Sequence, residues 1–183
     1  MTQPNVLHAW KCLDQVQSQL HCTLEGSVRQ LQSPEKFRDA SKRLHEVLRD
    51  ITPLEVEMFD SLERNLLEND DGKGSYMSRI WHALLMLEDE LDVIAALGLI
   101  EGMCLLRYES KYHFRAKENF QTLLRFLDNP SPPVKLATLH CLEALLVDSA
   151  ELTRVFERAD GVKCVSALVL QPRGGDPQFH YVR

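Results

Sequence analysis

The sequence has few of the residues that mark a disulfide-bonded or metal-binding protein. Its 183 residues include only five cysteines, and no pair shows the two-residue spacing of redox and zinc motifs. An odd, scattered set of cysteines fits reduced thiols inside a cell better than a disulfide framework. We therefore expect unpaired cysteines in an intracellular protein.

Long hydrophobic runs and an excess of basic charge are also missing. The longest apolar stretch is VIAALGLI, which is far shorter than a membrane span. The N-terminus, MTQPNVLHAW, lacks the basic and apolar regions of a signal peptide. The net charge of −6 does not favour nucleic acid or anionic membranes, and the basic cluster KYHFRAK (111–117) is too short to reverse it. We expect a soluble cytoplasmic protein with no nucleic-acid binding and no membrane insertion.

One stretch, HCTLEGSVR (21–29), imitates the phosphate loop of cysteine-dependent phosphatases. That loop places five residues between cysteine and arginine, whereas six separate Cys22 from Arg29. Apolar residues on both sides recur at the spacing of an amphipathic helix, namely at Val6, Trp10, Leu13, Val16, Leu20, Leu24, Val28 and Leu31. The pattern places Cys22 inside a helix, away from any anion-binding turn, and argues against phosphatase activity.

Other catalytic and metal motifs are incomplete. DGKGS lacks the upstream glycine and the strand of a nucleotide-binding loop. Read as a calcium loop, the same segment has Leu67 and Ser78 where acidic ligands are required. Two His-Cys pairs, His21-Cys22 and His140-Cys141, could form a metal site only if folding happened to join them. No catalytic triad is legible, so we expect no cofactor, no metal and no enzymatic activity.

What the sequence does contain is helix signals. Ser33 and Pro34 fit an N-cap and first helical position, and TPLE (52–55) is a capping box. NPSPPV (129–134) is a loop that starts a helix at Ser131. No segment shows sustained strand alternation, so the predicted class is all-α.

A repeat is visible in the second half. Sliding the chain by 42 residues aligns Ala95, Leu97, Glu101, Phe114 and Pro130 with Ala137, Leu139, Glu143, Phe156 and Pro172. Apolar positions between them also coincide, including Leu105 with Val147 and Phe120 with Val162. A period near 42 is typical of armadillo and HEAT arrays, or α-solenoids. Each unit should contain a long, a short and a medium helix, predicted at 91–107, 110–116 and 118–129, then at 133–147, 150–158 and 160–170.

These signals divide the chain into an N-terminal helical region (1–69), a linker loop (70–75), armadillo-like repeats (76–172) and an open C-terminal tail (173–183). Two repeats are fewer than such arrays usually need. We expect the N-terminal apolar stripe to cover one end, through Phe37, Leu44, Val47, Leu48 and Ile51. For the other end we expect either that the protein continues past Arg183 or that a partner covers it, which includes a second copy of the chain.

Residues 91–170 resemble the fungal cell division control protein 14 family, a scaffold component of the septation initiation network. The shared pattern is an ALGLIxG helix, an LLxxLxxPxxPxxxxATL block and FExxDGxxxVxxL. The resemblance implies a non-enzymatic protein that binds and supports a Ste20-like germinal-centre kinase during cytokinesis, at the spindle pole body. It does not extend to the unrelated phosphatase of the same name.

The alternative function is a solenoid adaptor for another peptide or for a small GTPase, outside cell division, because a fold alone does not choose a partner. In either case the long helices should present equivalent polar residues. The candidate partner-binding residues are Glu101, Glu143, Lys135, His140 and Arg107. We also expect Phe114 and Phe156 to be buried anchors, and Cys104, Cys141 and Cys164 to be buried and unpaired.

Overall fold

The computed structural model describes residues 22–27, 29–31, 33–51, 56–57, 59–61 and 75–170, and all regular structure within them is helical. This confirms the all-α class for these residues. Their elements are α1 (Pro34–Asp50), α2 (Tyr76–Met86), α3 (Glu90–Leu106), a 3-10 helix (Tyr108–Arg115), α4 (Lys117–Arg125) with a 3-10 turn (Phe126–Asp128), α5 (Pro132–Leu146), α6 (Ala150–Arg158) and α7 (Gly161–Leu170). Residues 22–27, 29–30, 56–57 and 59–61 are also helical.

The helices of the second half agree closely with their predicted bounds. Each end lies within two residues of its predicted position once the 3-10 turn is joined to α4. The short element of the first unit is a 3-10 helix, whereas its counterpart α6 is an α-helix. The predicted capping box at 52–55, the linker at 70–74 and the tail at 173–183 lie outside the described residues.

Short polar side chains start most of these helices. The hydroxyl of Ser75 accepts a hydrogen bond from the Ser78 N–H, and the Asp89 carboxylate accepts from the N–H groups of Leu91 and Asp92. Ser131 and Ser149 do the same for α5 and α6. Ser33 stands at the predicted N-cap of α1, but its hydroxyl makes no capping bond there.

Helix α3 forms the centre of the fold. Apolar residues surround most of its circumference, and Ala96, Leu97, Leu99 and Ile100 are fully buried. It packs most extensively against α5, and α1 and α2 cover its other sides. Since no side of α3 could face water without exposing apolar surface, the neighbouring helices are arranged around it.

The predicted N-terminal stripe packs on α3. Phe37 and Leu44 are buried in the common core, and the stripe's remaining members are partly buried against it. One glycine of α3 eases this close approach. A Cβ on Gly98 would lie 3.0 Å from His45 Nε2, which is a tight contact, whereas one on Gly102 would make an ordinary contact of 3.4 Å with Leu48 Cδ1. Gly98 of the ALGLIxG pattern therefore lets α1 pack tightly on α3.

A chain of aromatic rings links the smaller helices. The ring of Phe114 packs edge-on against Trp81 at 5.2 Å, and Phe120 lies 6.1 Å from both Phe114 and Phe156. Phe114 and Phe156 are both buried, as predicted. Buried aromatics of this size contribute strongly to stability through the apolar area they remove from water.

The 42-residue alignment does not predict burial at every position. Phe120 is completely buried, whereas its aligned partner Val162 is 60% exposed. The physical difference is that Phe120 has α6 packed over it, and no described helix follows α7. Cys164, which we expected to be buried, is only half-buried on the same helix.

The turn between α6 and α7 explains the Asp-Gly of the FExxDGxxxVxxL pattern. Asp160 has a positive φ of 63°, a conformation that aspartate tolerates better than most residues. The aromatic ring of Phe156 lies directly over Gly161, so a Cβ at that position would overlap three ring atoms. Phe156 can be buried in this way only because residue 161 has no side chain.

We predict that Gly161→Ala lowers the free energy of unfolding by about 1–3 kcal/mol, because Phe156 must move from its packed position. Gly26→Ala is the matched control, since a Cβ there meets no atom within 4 Å. The control should be neutral or stabilising by up to about 1 kcal/mol. Urea denaturation compares both variants with the parent, and equal stabilities for all three proteins would show that the Phe156–Gly161 packing is wrong.

Candidate partner-binding surface

Four of the five predicted site residues lie on the two long helices, on or beside one incompletely buried stripe of each helix. On α3 the stripe includes Glu101 and Leu105, and on α5 it includes Leu136, His140 and Glu143. Their spacing of three or four residues places each set on a single helix face. The side chains of Leu105 and Leu136 are both more than half exposed. Few other large apolar side chains among the described residues are exposed to this degree. The stripes are thus mixed in character, with apolar groups on either side of a carboxylate.

The stripe on α3 borders α5. The Cys141 thiol of α5 is fully buried, and its pKa is raised well above the ordinary value by burial, by the Cys104 thiol and by the Glu101 carboxylate. The two long helices pack extensively against each other, so their stripes lie on neighbouring helices. Glu143 is exposed, whereas Glu101 is half-buried.

The polar side chains of this surface are free to contact a partner. No side-chain hydrogen bond or ion pair joins four of them to any other residue that the structure describes, namely Glu101, Glu143, His140 and Lys135. Lys135 is half-buried, whereas His140 is exposed. Polar groups that are not used within the fold can pair with a partner without first breaking an internal interaction.

Arg107 does not belong to this surface, which corrects its selection from the sequence. It is only 8% exposed, and its guanidinium pairs with the Asp60 carboxylate. The same guanidinium lies over the Phe59 ring, 5.2 Å from the ring centre. Arg107 thus ties helical residues 59–61 to the end of α3. Its partners lie more than 40 positions away in the sequence, so no local pattern could have indicated its burial.

A buried lysine was missed for the same reason. Lys111 is 4% exposed, and its ammonium donates a hydrogen bond of 2.7 Å to the Val147 carbonyl at the C-terminal end of α5. A cation at this end of a helix is favourable because the helix carbonyls carry partial negative charge. Lys111, the first residue of the basic cluster at 111–117, therefore connects the 3-10 helix to the end of α5.

Among the described residues, a hydroxyl–imidazole contact occurs between Ser78 and His113, whose Oγ and Nδ1 atoms are 3.4 Å apart. Burial lowers the pKa of His113, but its other ring nitrogen has no hydrogen-bond partner among the described residues, so no carboxylate orients it. The Ser78 hydroxyl instead interacts with Ser75 at the start of α2.

The cysteines that the structure describes are all unpaired. Cys22 lies in a helix and is exposed, which confirms the reading of the HCTLEGSVR stretch as helical at that residue. Cys104 is buried, and burial raises its pKa to about 12. No group of three or more metal-ligating side chains occurs in the part of the chain that the structure describes. Within the same residues, no helix combines the length and apolar content needed to cross a bilayer.

The family model described as "Cell division control protein 14, SIN component" matches residues 74–174, which is more than half of the chain. The chain belongs to this family. No curated protein and no solved structure matches the sequence.

The family segment includes every described helix from α2 to α7 and the whole candidate surface. Helix α1 lies outside that segment, yet it packs against the two glycines of α3 that belong to it. The cell division control protein 14 domain of this chain is therefore completed by residues that the family model does not include. Membership also places the chain among proteins of cell division, as a component of the septation initiation network (SIN).

We predict that iodoacetamide labels native protein at Cys22 and leaves Cys104 and Cys141 unmodified. With a pKa of about 12, only about one Cys104 thiol in ten thousand is ionised at about pH 8, and burial also blocks the reagent. Peptide mass spectrometry of native and urea-unfolded samples measures each site. Native labelling of Cys104 at the rate seen in the unfolded chain would contradict the packing of α3 against α5.

Proposed function

We propose that this protein is a non-enzymatic, armadillo-like scaffold that binds and supports a Ste20-like protein kinase in septation. Membership of the cell division control protein 14 family, the SIN component, is the observation that carries the proposal. The kinase partner, a cytoplasmic location and association with the spindle pole body follow from the resemblance of the 91–170 block to the septation scaffold. The protein acts by holding the kinase and performs no reaction itself.

The helix order supports the armadillo-like part of the proposal. A long helix, a short helix and a medium helix follow one another twice, as α3, the 3-10 helix and α4, and then as α5, α6 and α7. The two long helices pack side by side, and aromatic side chains join the short and medium helices. Stacked units of this kind present extended surfaces that suit protein ligands.

The surface formed by the stripes of α3 and α5 is the proposed kinase contact. It combines the unpaired carboxylates of Glu101 and Glu143 with exposed apolar groups such as Leu136. Such a mixture is typical of a protein interface, in which apolar groups supply affinity and charges at the rim select the partner. A basic patch on the kinase is the matching chemistry.

We predict that the tagged protein co-purifies with a Ste20-like kinase, and that Glu101→Gln with Glu143→Gln weakens the complex by about tenfold. The control is Glu118→Gln with Glu157→Gln, which removes the same charge from exposed positions on α4 and α6. Affinity is measured with purified kinase by biolayer interferometry, and thermal unfolding of each variant checks the fold.

Two results would count against this function. Recovery of another partner, such as a small GTPase, without any kinase would favour the alternative adaptor role. Equal affinity of both double variants for the kinase would place the contact elsewhere on the protein. Disruption of the gene provides an independent readout, because loss of the scaffold should give multinucleate cells that lack septa.

A further inference from the structure

The connection between α2 and α3 exposes three large apolar side chains. Leu85 and Met86 in the last turn of α2 are 47% and 69% exposed, and Leu91 in the first turn of α3 is 64% exposed. These three residues, together with Glu88 and Glu90, are called the α2–α3 corner. Large apolar side chains that are grouped on a surface are typical of interaction sites. Methionine adds adaptability, because its flexible thioether fits differently shaped partners.

The corner is also strongly acidic. Four carboxylates occur within five residues, at positions 88, 89, 90 and 92. Asp89 and Asp92 are already used, since Arg38 of α1 pairs with both, at 3.1 Å and 3.0 Å. Glu88 and Glu90 are exposed and have no ion-pair partner among the described residues. Two negative charges therefore stand unpaired beside the three apolar side chains.

Helix α1 shows which kind of ligand suits this combination. It is an amphipathic helix that buries Phe37 and Leu44 against the core and directs the Arg38 guanidinium to the carboxylates beside the corner. The protein thus already holds one helix here by apolar packing together with arginine–carboxylate pairing. The exposed half of the corner offers the same two features to a second helix.

We propose that the α2–α3 corner binds an amphipathic helix of another protein, one that carries lysine or arginine next to leucine-like residues. The apolar side chains would pack against Leu85, Met86 and Leu91, and the cations would pair with Glu88 and Glu90. The unpaired carboxylates and the net charge of −6 repel anionic lipid, so the occupant is a protein segment. This surface is separate from the stripes of α3 and α5 around Glu101 and Glu143, and the proposal does not depend on the partner being a kinase.

The probe is a synthetic helical peptide of leucine and lysine at amphipathic spacing, labelled for fluorescence anisotropy. We expect it to bind the full chain, and Met86→Ser with Leu91→Ser to weaken binding by at least about tenfold. Glu88→Gln with Glu90→Gln should weaken binding to a similar extent at about 0.05 M salt, and less at about 0.5 M, where charges are screened. All four side chains are exposed, so the thermal midpoint should stay close to that of the parent.

Glu118→Gln with Glu157→Gln is the matched control, because it removes the same charge and also changes a glutamate in the first turn of a helix. The control should bind the peptide within about twofold of the parent. If both charge variants lost the same amount of affinity for the peptide, general attraction between the basic peptide and the acidic protein would explain the binding. That result would overturn the proposal. A concentration-dependent dimer in sedimentation velocity, abolished by the Met86/Leu91 variant, would also overturn it, because a second copy of the chain would then occupy the corner.

Discussion

Helix α3 is apolar around most of its circumference, and the burial of most of that surface determines how the neighbouring helices are arranged. Helix α5 lies against one side and α1 and α2 lie against others, which leaves the stripe of Glu101 and Leu105 open. Gly98 eases the close approach of α1, because a Cβ there would lie only 3.0 Å from His45 Nε2. The cost of exposing α3 explains why a helix outside the family segment is part of the same core.

The same constraint determines what remains available to a partner. Residues of α3 and α5 that face each other are consumed by packing, which leaves one mixed stripe on each helix and the acidic, apolar corner where α3 begins. Among the described residues, the Cys104 and Cys141 thiols are buried by the same packing, and the Ser78–His113 contact lies apart from these surfaces.

The sequence predicts the local features well. Helix ends could be located because serine, aspartate and proline act on the backbone within a few residues, as at Ser131 and Ser149. The burial of Phe114 and Phe156 followed from the repeat, since equivalent positions meet equivalent neighbours. Features that depend on distant residues could not be predicted. The burial of Arg107 depends on Asp60, and that of Lys111 on the end of α5, contacts that local periodicity does not encode.

The packing of α1 on α3 implies that α1 and the family segment form one cooperative unit, and native-state hydrogen exchange followed by NMR measures this residue by residue. Amides in the middle of α1, around Ala40 and Leu44, should lose protection together with those of Leu97 to Ile100 in α3. Both sets should exchange with the free energy of global unfolding. Exchange of the α1 amides by a much smaller local opening, while α3 stays protected, would contradict the claim.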